Sequence, residues 1–137
     1  MADLFRLSAL LDDMHCNLYF QHMKWDVSFC DEFDAEFDGF DVPLQNELLA
    51  RLSLLGETGP SLGRPHVDTL KGSRHPNMKE LRFSLGRQPY RFLFAFDPLR
   101  NAVVLVGGSK AGDARFYDRL IPVAEARYDR HLATLQP

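Results

Sequence analysis

Two arginines on adjacent alternating segments are the residues best placed to do chemistry in this chain. In KELRFSL (79–85), Leu81, Phe83 and Leu85 alternate with Glu80, Arg82 and Ser84. In YRFLFAF (90–96), Tyr90, Phe92, Phe94 and Phe96 mark one face and Arg91 the other. Successive side chains of a strand leave on opposite faces. If Leu81, Phe83, Phe92 and Phe94 meet a core, Arg82 and Arg91 therefore project together from an opposite, open face. The loop before them adds Lys71, Arg74, His75 and Lys79; Lys110 follows a third strand after a double glycine, and Tyr117 is one helical reach beyond. Such a face suits a phosphodiester, because guanidinium forks grip non-bridging oxygens while His, Lys or Tyr move protons. A solvated cationic face without chemistry is the competing reading, and spacing alone does not separate the two.

These residues need a scaffold, and the pattern supplies one. KWDVSF (24–29) alternates like a half-buried strand. Phe29, Phe33, Phe37 and Phe40 recur at helical spacing, with Asp31 placed to cap the start. A second helix is expected over 43–56, with Pro43 in its first turn, leucines on one face and Gly56 at its end. Residues 57–77, rich in Gly and Pro, read as a long loop. Three strands follow at 79–85, 90–96 and 102–106, the last apolar throughout as a strand buried on both faces should be. GGSKAGD (107–113) is expected to leave the sheet, and Pro122 to interrupt the helical run that follows. The expected class is α+β, a mainly antiparallel sheet packed on an N-terminal helical hairpin, with C-terminal helices.

Composition excludes several alternatives. At 137 residues and 45% hydrophobic, the chain makes one domain with a real core. Cys16 and Cys30 fit no CxxC or Cys/His spacing, which argues against a disulfide framework and for a reducing cytosol. No apolar run approaches the ~20 residues that span a bilayer. His66, His75 and Asp68 match no familiar metal spacing, GGSKAG lacks the phosphate-loop pattern, and Ser73 and Ser109 have no His/acid arrangement. NLYFQHM (17–23) resembles a tobacco-etch-type protease site followed by the His-Met of a cloning junction, although Cys16 stands where the leading Glu is expected. Residues 1–22 are thus read as an expression tag or linker, or else a native extension, and are set aside with Met23 as the natural start. Charge is unevenly spread. Over 23–58 nine acids face Lys24 and Arg51, whereas over 64–91 seven Lys/Arg face Asp68 and Glu80. An asymmetry of that kind speaks about partners, not fold.

Three stretches carry a resemblance. GPSLGRPHVDTLKGSRHPNMKELRF, PYRFLFAFDPLRNAVVLVGGSKAGD and FYDRLIPVAEARYDRHL together resemble the phage-derived HigB-like branch of the RelE/ParE toxin superfamily, over about residues 24–132. The resemblance implies a RelE-like fold over 23–137 and a bacterial, cytoplasmic type II toxin held by a small helix-turn-helix (HigA-like) antitoxin. It further implies a ribosome-dependent, metal-independent, cofactor-free mRNA endoribonuclease, in which the ribose 2′-hydroxyl attacks the adjacent phosphate. Carried onto this chain, Arg82 and Arg91 stabilise the transition state, each by on the order of 2–4 kcal/mol. Lys71, His75 or Lys79 accepts the proton, Lys110 or Tyr117 protonates the leaving oxygen, and Lys71, Arg74, Arg87 and Arg115 bind RNA. Because both arginines face outward, replacing either is expected to remove activity without unfolding the chain. One departure stands out: residues 23–137 carry 15 Lys/Arg against 16 Asp/Glu, whereas active superfamily members are often markedly basic. That leaves room for a ParE-like toxin that inhibits DNA gyrase by protein binding, or for an inactive phage-derived domain that only binds antitoxin.

Overall fold

The computed structural model describes residues 24–135; the tag or extension expected at 1–22 lies outside the described residues. The chain runs through β1 (Asp26–Phe29), α1 (Asp31–Asp38), α2 (Val42–Thr58), a 3-10 turn (Gly59–Ser61) and β2 (Val67–Thr69). It continues through β3 (Met78–Leu85), β4 (Gln88–Phe96), β5 (Asn101–Ser109) and α3 (Phe116–Thr134). The sheet order is β1-β5-β4-β3-β2, an antiparallel β3-β4-β5 meander extended by β2 on one side and by β1, parallel to β5, on the other.

The helical hairpin forms for the reasons its pattern gives, with shifted ends. Cys30, not Asp31, holds the N-cap position of α1, and no side chain caps it. Asp31, Glu32 and Asp34 instead lie in the first turn, where the positive end of the helix dipole favours acids. Asp41 caps α2 by accepting from the Leu44 N–H at 3.1 Å, with Pro43 in the first turn as expected. Gly56 does not end the helix. It is buried within α2, and its carbonyl accepts the Trp25 N–H at 3.0 Å. The helix stops at Gly59, whose φ of 72° is easy only for glycine and whose Cβ would meet the Trp25 ring at 2.6 Å. The long loop after it is not free of regular structure, since β2 pairs with β3 there through Val67↔Leu81, Asp68↔Glu80 and Thr69↔Lys79.

Both faces of the sheet are covered, so the molecule has three layers. On one face Phe29, Phe33, Phe37, Leu48 and Leu55 from β1 and the hairpin bury Leu81, Phe83, Phe92 and Phe94. Full burial of one such side chain contributes about 1.5–3 kcal/mol. On the other face Phe116, Leu120, Ala124 and Tyr128 of α3, spaced by four, close over Met78, Leu93, Ala95, Val103 and Leu105. Here two expectations are corrected. Pro122 sits inside one continuous α3, so there is a single C-terminal helix, and the face taken as open is covered over most of its area. The reason is apolar side chains at both parities of β4 and β5, which leave a second face to bury. A third correction concerns the double glycine: β5 runs through Gly107 and Gly108 to Ser109 before leaving the sheet.

Candidate active site

The uncovered end of the second face holds the two arginines. Arg82 and Arg91 are direct cross-strand partners, and like charges so placed destabilise a sheet unless an anion lies between them. Glu80 is that anion. It is two residues before Arg82, hence on the same face, and is only 6% exposed. Its Oε2 lies 3.8 Å from Arg82 Nη1 and its Oε1 lies 3.7 Å from Arg91 Nε. The Tyr117 hydroxyl, from the first turn of α3, donates to Glu80 Oε1 at 2.6 Å, and Lys110 Nζ lies 5.4 Å from the Tyr117 ring centroid. Arg91 is largely enclosed, with its side chain 11% exposed and its Nη1 donating to the Tyr90 carbonyl at 2.9 Å. Its Nε is buried without a hydrogen-bond acceptor. Arg82 is the more open at 27%, and its Nη1 also approaches Asp68 Oδ2 at 3.4 Å.

Burial raises the pKa of the Tyr117 phenol, and the hydrogen bond to Glu80 and its negative charge act in the same direction, against an opposing effect of Arg91. The phenol is therefore a proton donor at neutral pH. Asp68 sits opposite Glu80 in register, which again brings two carboxylates together. Arg64 answers it with hydrogen bonds at 2.6 and 3.1 Å, and this bonding, more than the charge of Arg82, holds the Asp68 carboxyl below its ordinary range. Arg64, Arg82 and Arg91 thus surround two carboxylates, Asp68 and Glu80, and Lys110 lies beside the Tyr117 ring. The surplus of positive charge favours a further anion at the exposed rim.

Other candidates are dispersed. Lys79 has the opposite strand parity to Glu80 and Arg82, yet it lines a shallow depression together with Arg64 and Asp68 of the charged cluster. His75 and Arg74 are clasped to the far half of α3: His75 Nε2 is 2.9 Å from Asp129 Oδ1, Arg74 pairs with Asp129, and the Arg74 N–H donates to Glu125 at 2.8 Å. Twelve residues separate Tyr117 from Asp129, about 18 Å along a helix. Lys71 and Arg87 are exposed in turns, and Arg115 is exposed at the N-cap of α3 beside Asp118. The His66 ring lies against Arg51, 3.4 Å away. Sequence reading named Arg82, Arg91, Lys110 and Tyr117 as candidates but passed over Glu80, which contacts Arg82, Arg91 and Tyr117. The same period-two argument that put the arginines on one face also places Glu80 with them.

The scaffold is a three-layer α/β/α arrangement on a mainly antiparallel sheet, with this cluster of charged side chains at one end of the sheet. The chain belongs to the phage-derived Gp49-like family, whose model, described as "Phage derived protein Gp49-like (DUF891)", matches residues 35–129. Its resemblance to the HigB-like toxin branch is borne out by two proteins of Mycobacterium tuberculosis. One, "Putative toxin HigB2", is 44% identical over 108 residues, covering 77% of this chain and 54% of that protein. The other, "Putative toxin HigB3", is 49% identical over 84 residues, covering 61% of this chain and 72% of that protein. The chain thus spans about half the length of the first relative. No solved structure matches it.

Proposed function

We propose that residues 23–137 form a RelE-like toxin of a bacterial type II toxin–antitoxin pair that cleaves mRNA on the ribosome without a metal ion. A small helix-turn-helix antitoxin neutralises it in the cytoplasm. The observation that carries this reading is the convergence of Arg82, Arg91 and Tyr117 on Glu80 at the uncovered end of the sheet, with Lys110 beside the Tyr117 ring. The names of the two relatives support the toxin half of it.

The chemistry follows from the donors and acceptors present. The ribose 2′-oxygen forms a bond to phosphorus as the bond to the 5′-oxygen of the next nucleotide breaks, leaving a cyclic phosphate and a free 5′-hydroxyl. Arg82 and Arg91 stabilise the charge on the non-bridging oxygens. The 2′-hydroxyl proton passes to Glu80, the carboxylate between them, and Tyr117 gives its phenolic proton to the leaving oxygen. The 2.6 Å contact then returns the proton from Glu80 to Tyr117 and resets the pair. His75, expected from sequence as an acceptor, lies away from this cluster, and Lys79 lines the depression beside it with Arg64 and Asp68; their part in the reading, with Lys71, Arg74, Arg87 and Arg115, is to hold RNA or to shape its approach.

The test expresses the protein, maps mRNA 5′ ends and assays DNA supercoiling in the same cells. Ribosome-dependent cuts that disappear in Arg82→Ala are the expected result. Intact mRNA with inhibited supercoiling would instead make it a gyrase poison, and neither effect would leave a domain that only binds antitoxin.

A further inference from the structure

The two glycines near the end of β5 do different jobs. Gly107 pairs with Phe92 and faces the hairpin core. A Cβ there would lie 2.5 Å from the Arg91 carbonyl oxygen and closer still to the Phe92 ring, so only glycine fits. Gly108 pairs with Arg91 and therefore faces the side that carries Glu80 and Arg82. A Cβ at Gly108 would meet nothing within 4 Å, and Gly108 is not among the glycines with positive φ. Neither crowding nor backbone conformation calls for glycine here, although glycine inside a strand weakens it.

The cross-strand rows around it sharpen the point. The row Glu80–Leu93–Val106 has a side chain on every strand. The next row, Arg82–Arg91–Gly108, holds two guanidiniums and then a gap. Lys110 stands two residues beyond the gap, its ammonium near the Tyr117 ring at the start of α3. What lies open is a notch floored by bare peptide, one strand spacing (about 4.8 Å) from Arg91.

We propose that Gly108 is the floor of a substrate subsite, seating the ribose that adjoins the phosphate held by Arg82 and Arg91 in single-stranded RNA. The inference rests on the nuclease reading above and adds a steric determinant to it. The missing side chain admits the sugar beside the cations, and any larger residue occupies the sugar's place.

The test is a size series, Gly108→Ala, Gly108→Val and Gly108→Leu, in the full chain. Cleavage is read as mRNA 5′ ends in a purified translation system, with thermal melting alongside. Expected is a cleavage rate that falls as the side chain grows, by more than 100-fold for Gly108→Leu, while the melting temperature stays level or rises. Gly107→Ala, by contrast, lowers the melting temperature. A Gly108→Leu protein that cuts like wild type overturns the subsite and leaves the arginine roles standing. Loss of its melting transition overturns the claim of open space. Wild-type protein that cuts no mRNA overturns the nuclease reading and this inference with it.

Discussion

Replacing Glu80 with glutamine keeps the size of the side chain but removes the charge that Arg82, Arg91 and Tyr117 share. The two facing guanidiniums then lose the counterion they share, Arg82 keeping only Asp68, and Glu80→Gln is expected to cost about 1–3 kcal/mol of stability and at least 100-fold in cleavage rate. Thermal melting and 5′-end mapping check the two parts. The arginines differ from each other. Arg82→Ala is expected to keep the melting temperature within a few degrees while abolishing cleavage, because its side chain is partly exposed. Arg91→Ala should lose both, since Arg91 is enclosed and its removal leaves buried Glu80 less compensated. Equation of the two as outward-facing residues holds for parity and fails for burial. Tyr117 adds a pH dependence. Its raised pKa means the folded chain holds the phenolic proton more tightly than the unfolded chain does. The associated stability is complete below the ordinary tyrosine value of 10.0 and is lost as pH rises through the higher folded value. Burial raises Tyr128 as well, so ultraviolet titration should show two tyrosines ionising late in the wild type and only one in Tyr117→Phe.

At the scale of elements, the loop between β2 and β3 is legible in sequence as a cationic approach and turns out to be a clasp on α3. Ser73 and the Arg74 N–H bind Glu125, Arg74 and His75 bind Asp129, and Asn77 donates to the Tyr128 hydroxyl at 2.9 Å. Hydrogen bonds from Arg74 and His75 hold the Asp129 carboxyl below its ordinary range. A depressed pKa contributes stability above the ordinary value of 3.8 and loses it as pH falls through the lower folded value. Hydrogen exchange at the Arg74 amide should therefore accelerate in strong acid before exchange in β4 does. Asp129→Asn should reproduce part of that acceleration at neutral pH; unchanged protection there would discard the clasp. None of this was readable from the loop, because its partners lie more than 50 residues away in α3. The strand meander was readable, because tight turns and period-two alternation are local.

For the whole molecule, the uneven charge of the sequence has a partly internal use. Arg127 of α3 binds Glu36 at 2.6 Å and Arg130 binds Glu32, so acids of α1 meet bases of α3 at the edge of the sheet. The acidic half of the chain is thus tied to its own C-terminal helix, while exposed Arg87 and Arg115 remain on turns near the ends of the strands and the start of α3. If RNA meets those turns, Arg87→Glu combined with Arg115→Glu should lower affinity most at low salt. It should also flatten the dependence of log affinity on log salt by about 0.7 for each phosphate that is no longer neutralised. An unchanged slope would remove these two residues from the RNA interface.

Sequence by itself determined the α+β class, the hairpin, the meander and the placing of Arg82 and Arg91 on one face of the sheet. Each depends on periodicity within a few residues, which the backbone imposes wherever a strand or helix forms. Only the tertiary structure decided that α3 is continuous and closes the second face, that Glu80 joins the arginines to Tyr117, and that His75 is held on the far half of α3. Those outcomes depend on which distant surfaces pack together. Burial, unlike alternation, is a property of the assembled layers.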